Sequence, residues 1–252
     1  MAAAPSSLLL AQALLLLLAM AAAQYSPMTL TIFNNCPFTI WPGIQPNPGC
    51  ELLEGGGFEL PSLSHRSFPA PAGPWSGRIW ARTGCCVGAG GRFSCDTGDC
   101  GAQFACGGRG GAVPATLAQL SLHQSGASDK VAYGVSLVDG FNVPLTVTPH
   151  EGNGVCPVVG CRADLLPGCP APLQAAAGGR GQVVGCKSGC VAFGTDELCC
   201  RNAYSTPACC QPSSYSGYFK QACPATYTFA QDSPSLKPDC AAPKELKLIF
   251  CQ

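Results

Sequence analysis

Charge is scarce in this sequence: only 11% of its 252 residues are Asp, Glu, Lys or Arg, 14 acidic against 14 basic, and no run of one sign occurs. Nucleic acid is thereby excluded as a partner, because phosphate contacts need clustered cations. Histidine is rarer still, and His65, His123 and His150 fall in no metal-ligand spacing. No serine stands in a Gly-x-Ser-x-Gly elbow, no Asn-x-Ser/Thr acceptor occurs and no segment repeats, which argues against a serine nucleophile, N-glycosylation and a repeat array. Past residue 23 no apolar run is long enough to cross a bilayer, so no membrane span is expected, and no motif calls for a metal or cofactor.

What abounds is cysteine, 19 residues, with Gly at 31 and Pro at 23. A reducing cytosol would not leave so many thiols free, so the chain is expected to be exported to an oxidising, extracellular space and disulfide-bonded. Residues 1–23 read as a signal peptide: Leu8 to Ala23 is apolar except for Gln12 and ends in Ala21-Ala22-Ala23, a small-residue cleavage site that would make Gln24 the mature N-terminus. Nothing at the terminal Cys251-Gln252 reads as an anchor or retention signal. So many Gly and Pro in a chain that is 47% hydrophobic point to many turns around a real core.

Alternation of apolar and polar residues marks the strands. Met28, Leu30 and Ile32 share one face of a first strand. Ala118, Leu120 and Leu122 share the inner face of another, which turns Leu117, Gln119 and Ser121 the other way and aims Gln119 off the core. Val131, Tyr133, Val135 and Leu137 alternate with smaller residues, Asp139-Gly140 supplies a turn, and Phe141, Val143, Leu145 and Val147 resume the pattern: a β-hairpin is predicted. Leu246 to Phe250 forms the last strand.

Between Cys156 and Cys223 the pattern changes, with ten cysteines, few alternating runs and a Gly-rich loop from Ala175 to Gly181. Within it Tyr215, Tyr218, Phe219 and Ala222 stand at helical spacing behind the serine cap of Ser213 and Ser214, predicting a short amphipathic helix whose aromatic stripe packs into a core. Cysteines are adjacent at Cys85-Cys86, Cys199-Cys200 and Cys209-Cys210, and each member needs a distant partner because neighbours cannot easily meet bridge geometry.

Gly91-Arg92-Phe93-Ser94-Cys95-Asp96-Thr97-Gly98-Asp99-Cys100, followed by Gln103 and Cys106, is the most specific run in the chain. With Ile79-Trp80-Ala81-Arg82-Thr83-Gly84-Cys85, Ala115-Thr116-Leu117-Ala118, Asp139-Gly140-Phe141-Asn142-Val143-Pro144 and Pro212-Ser213-Ser214-Tyr215-Ser216 in the same order, the sequence resembles the thaumatin-like proteins, plant pathogenesis-related group five, along its whole mature length. The resemblance implies a mainly β fold: a flattened β-sandwich of about eleven antiparallel strands (24–82, 106–162 and 224–252), a small bridged β-hairpin lobe (83–105) and a disulfide-rich loop and helix domain (163–223). It also implies eight bridges: Cys36-Cys251, Cys85-Cys95, Cys100-Cys106, Cys156-Cys240, Cys161-Cys223, Cys169-Cys186, Cys190-Cys199 and Cys200-Cys210. Cys50, Cys86 and Cys209 are left over, and a Cys50-Cys86 bridge is expected because both lie in or beside the β-rich part.

Antifungal members of the family have an acidic cleft, formed by an Arg, a Glu and three Asp, that binds or slowly hydrolyses β-1,3-glucan. Here the Glu is Gln119 and the first Asp is Gly134, the Arg aligns with Ala112 with Arg109 close by, and only Asp139 and Asp232 survive of the acids. An amide cannot cycle a proton near neutral pH, and glycoside hydrolysis needs two carboxyl groups. The expected function is therefore that of a secreted, apoplastic, monomeric, antifungal plant defence-type protein without catalytic residues, binding fungal or cell-wall β-1,3-glucan, or a microbial surface, through Gln119, Gly134, Asp139, Phe141 and Asp232. A weak endo-β-1,3-glucanase and an inhibitor of a foreign hydrolase are the alternatives. Asp139 has a second reading as a turn residue, and Asp99, set between cysteines, reads as structural.

Overall fold

The computed structural model describes residues 25–124, 129–177 and 181–252. The leader, its cleavage site, Gln24 and part of the Gly-rich loop lie outside the described residues. In chain order the strands are β1 (Thr29–Asn34), β2 (Trp41–Pro46), β3 (Ser64–Pro69), β4 (Trp75–Arg82), β5 (Cys86–Val87), β6 (Phe93–Ser94), β7 (Leu117–Gln124) and β8 (Lys130–Ser136). They continue with β9 (Leu145–His150), β10 (Asn153–Val155), β11 (Val159–Cys161), β12 (Gln174–Ala176), β13 (Val183–Cys186), β14 (Thr226–Tyr227), β15 (Asp239–Ala241) and β16 (Glu245–Phe250).

Two sheets form the sandwich. One runs β11-β9-β16-β1-β3, and the other β10-β15-β8-β7-β4-β2 with β14 also on β8. Most pairs are antiparallel, as expected, while β1 lies parallel to β16 and β14 parallel to β8. The Cys36–Cys251 bridge, which spans 215 residues, closes just beyond β1 and β16. Constraining so long a loop in the unfolded chain contributes on the order of 5 kcal/mol in the chain-entropy account.

Alternation puts Leu30 and Ile32 of β1, Leu246, Leu248 and Phe250 of β16, and Ala118, Leu120 and Leu122 of β7 into one core between the sheets. A row across the second sheet pairs Ile44 with Ile79, Ile79 with Ala118, and Ala118 with Val135, all with no exposed surface. Because successive side chains leave a strand on opposite faces, the neighbouring row must point outward.

Two smaller cores lie outside the sandwich. Leu137, Phe141, Leu165, Leu173 and Phe219 pack among Cys161, Cys169, Cys186 and Cys223. Here α1 (Gly189–Phe193), α2 (Asp196–Cys199) and α3 (Ser214–Ala222) gather, and α3 starts with a reciprocal capping box between Ser213 and Ser216. Its stripe packs as expected: Phe219 is fully buried and Tyr215 and Tyr218 lie against the same cluster. The third core joins Trp80 and Leu117, on the outer side of the second sheet, to Cys100, Cys106 and Ala115. Arg82, fully buried, ties the β5–β6 lobe to that sheet by donating to the carbonyls of Trp41, Gln103 and Phe104. Burial lowers its guanidinium pKa to about 10 against the opposing pull of Asp99, so it stays charged at neutral pH. Asp99 itself accepts from the backbone of Cys95, Gly101 and Ala102, the structural role read for it.

The eight bridges join the pairs that the resemblance implies. Cys50, Cys86 and Cys209 are free, so the expected Cys50-Cys86 bridge does not form. The Cys50 sulfur accepts from Ser76 N–H at one end of β4, and Cys86 lies beyond Arg82 at the other. At ~3.4 Å per residue those ends are roughly 20 Å apart, whereas a bridge needs Cα atoms within ~7 Å.

The hairpin predicted around Asp139-Gly140 is also corrected. β8 and β9 belong to different sheets, and the segment between them is an arch. Gly140 N–H closes the turn on Leu137 C=O, and Gly140 itself has φ +93° with the Cys186 carbonyl 2.6 Å from where a Cβ would sit. Buried Asn142 then fixes the crossing, donating to Ala81 C=O and Thr97 Oγ1 while its carbonyl oxygen accepts from the N–H groups of Thr116 and Val143. Alternation serves an arch as well as a hairpin, so the pattern alone does not separate them.

Candidate functional site

The outward rows of the second sheet build a cleft. Nearest the lobe, Trp80 pairs with Leu117 and Leu117 with Ser136, and this row is covered by the third core. The next row is open: Gln45 pairs with Arg78, Arg78 with Gln119, and Gln119 with Gly134. Beyond it Ser76 pairs with Ser121 and Ser121 with Ala132. The floor is thus amide, hydroxyl and one guanidinium on the rigid face of four strands.

Two hollows that share Arg78, Gln119 and Tyr227 stand on this floor. One of about 500 Å³ is lined by Arg78, Gln119, Ser136, Asp139, Tyr227, Phe229 and their neighbours. The other, about 270 Å³, is lined by Asn47, Arg78, Gln119, Ser121, Gly134 and Tyr227 among others. A small recess toward the lobe is lined by Gln45, Arg78, Trp80, Gly110, Gly111 and Asp139. Arg78 borders all three, and among the described residues Asp139 is the sole carboxylate on any of their walls. Among the described residues the six ion pairs involve neither Arg78 nor Asp139.

Of the residues expected here, Gln119, Gly134 and Asp139 meet at the cleft. Gln119 is exposed, as its strand phase requires. Gly134 is buried because the Tyr227 ring lies over it: a Cβ at position 134 would be 2.8 Å from Tyr227 Cε2. Phe141 is corrected to a core residue, with no exposed surface and both its backbone groups bonded to Cys186.

Asp232 is corrected too. It lines none of these hollows, and its side chain, 6% exposed, accepts from Lys220 Nζ at 2.7 Å, from Thr228 N–H and Oγ–H, and from Ser233 N–H. Burial pushes its carboxyl pKa up, but the bonds from Lys220 and Thr228 prevail and hold it below the ordinary value. It braces the loop after β14.

The cleft arginine is Arg78, which replaces the alignment to Ala112 and the nearby Arg109. Ala112 is exposed and spends its N–H on the Asp99 carbonyl, and Arg109 is exposed beside Gly101 of the lobe. The missed residues Arg78, Tyr227 and Phe229 carried a signal only in part: an inward Ile79 sets Arg78 outward.

A two-sheet β-sandwich stapled by eight disulfides, with a lobe over one sheet and an open polar cleft beside it, defines a disulfide-rich, mainly β protein. The chain matches the thaumatin family over residues 34–252 and belongs to that family. It is 62% identical over 253 residues to an osmotin-like protein of Solanum lycopersicum, covering 100% of both chains. It is 42% identical over 224 residues to a Prunus avium protein named glucan endo-1,3-beta-glucosidase, covering 88% of this chain and 90% of that one. Among solved structures, the thaumatin-like xylanase inhibitor TLXI is similar with a TM-score of 0.45 at 25% identity, covering 88% of this chain and 99% of that one.

Proposed function

We propose that this protein is an exported, defence-type polysaccharide-binding protein that takes β-1,3-glucan into the cleft over β4, β7 and β8 with little or no hydrolysis. The observation that carries this reading is the single carboxylate, Asp139, on the cleft walls. Cleaving a glycosidic bond takes two carboxyl groups on opposite sides of it, one to protonate the leaving oxygen and one to attack or to activate water. Gln119 hydrogen-bonds a hydroxyl but transfers no proton, and Asp232 is enclosed by its own partners.

What remains suits binding. Gln119, Ser121 and Asn47 offer hydrogen bonds to sugar hydroxyls, and the half-exposed rings of Tyr227 and Phe229 offer apolar surface to a sugar's C–H face. The name of the Prunus avium relative supports β-1,3-glucan as the polymer class. Eight bridges support function in an oxidising, extracellular setting.

Retention on insoluble β-1,3-glucan tests the reading. The protein should be retained and then released by soluble β-1,3-gluco-oligosaccharide, and Tyr227→Ala should weaken retention about fivefold. Passage of the protein through the polymer unretarded would overturn it.

A further inference from the structure

Arg78 is the unbalanced charge of the cleft. It stands exposed at the middle of the open row, between Gln45 and Gln119, and at ~4.8 Å between strands the row from Gln45 to Gly134 is about 14 Å wide. Neither amide carries charge, Gly134 has no side chain, and the sole cleft carboxylate, Asp139, makes no ion pair with it within 4 Å. The chain is neutral overall, so attraction of an anion here is local and owes little to a long-range field.

The two hollows differ in their charge. The larger includes Asp139, and the smaller has no acid on its walls but keeps Arg78 beside Asn47, Gln119 and Ser121, all able to donate. A guanidinium presents two parallel N–H groups that match a carboxylate, and such paired bonds are about twice as strong as neutral ones.

We infer that the cleft prefers polysaccharides bearing carboxylate sugars, uronates, over neutral glucans, with the sugar carboxylate held by Arg78 in the hollow lined by Asn47, Gln119 and Ser121. This inference rests on the reading of the cleft as the carbohydrate site and names the ligand class within it. Neutral hydroxyls of the same chain occupy the Asp139 side, where a second carboxylate would be repelled.

Calorimetric titration with three probes tests it: oligogalacturonate, the same oligomer fully methyl-esterified, and a neutral β-1,3-gluco-oligosaccharide. The wild type should bind the acid form about tenfold more tightly than the ester at low salt, a ratio that shrinks as salt rises. Arg78→Gln should bring the ratio to one, Arg78→Lys should keep part of it, and Arg92→Gln, an exposed site in the lobe, should leave it unchanged. Gln119→Glu places a carboxylate beside the guanidinium and should also abolish the preference, which decides the matter if Arg78→Gln fails to fold. A wild-type ratio of one, or a ratio untouched by both Arg78→Gln and Gln119→Glu, overturns the inference. Binding of the neutral oligomer alongside such a result leaves the carbohydrate reading standing, whereas binding of none of the three overturns both.

Discussion

The ring of Tyr227 fills the space that a side chain at position 134 would take, since a Cβ there would come within 2.8 Å of Tyr227 Cε2. Glycine at 134 and tyrosine at 227 are therefore one unit: β14 runs beside β8, Tyr227 pairs with Ser136, and its ring folds back over Gly134. The acid expected at this strand position is replaced by an aromatic surface.

Coupling between these two positions follows. Gly134→Ala should destabilise the protein by about 1–3 kcal/mol through overpacking. In a Tyr227→Ala background the same change should be neutral or stabilising by up to about 1 kcal/mol, because glycine is a poor strand residue. Denaturant unfolding with the disulfides intact measures both, and an equal cost in the two backgrounds would refute the packing account. For the same reason Gly134→Asp needs Tyr227 shortened before it can add an acid to the cleft.

Asp232 gives a pH signature. Its folded-state pKa lies below the ordinary value, so its bonds to Lys220 and Thr228 contribute stability in full above the unfolded value of about 3.9, lost as pH falls through the folded one. Asp232→Asn should cost about 2 kcal/mol near neutral pH, and its deficit against wild type should close well below pH ~4. A deficit that persists in acid would mean that the carboxylate's charge is not what braces the loop.

Three thiols should titrate in the native, fully oxidised protein, and at unequal rates. Cys86 and Cys209 are exposed and should be alkylated rapidly, whereas Cys50, partly buried against the main core and accepting from Ser76 N–H, should react slowly. A single native thiol, together with a peptide linking Cys50 to Cys86, would contradict the structure.

The sequence carried the alternation of β1, β7, β8 and β16, because burial on one face leaves a period of two in the residues themselves. It carried the capping serines and the stripe of α3 for the same kind of reason: both are local. Register is not local. Arg78 meets Gln119 only because β4 pairs with β7, so the cleft's cation stayed hidden among residues that look like strand filler, while Ala112 and Arg109 drew the alignment. Phe141 failed as a cleft residue because immediately after the Gly140 turn the chain enters the core around Cys186, and Asp232 failed because its own loop satisfies it. The fate of Cys50 and Cys86 depended on the length of β4, which no spacing in the cysteines reports.

A cleft with one carboxylate should bind a glucan without cutting it. Reducing ends released from soluble β-1,3-glucan, over long incubation with the disulfide-intact protein, test it most directly. No release above the buffer blank is expected from wild type or Asp139→Asn, at protein concentrations where retention on the insoluble polymer is plain. Steady release by the wild type, abolished by Asp139→Asn or by Asp232→Asn, would contradict it.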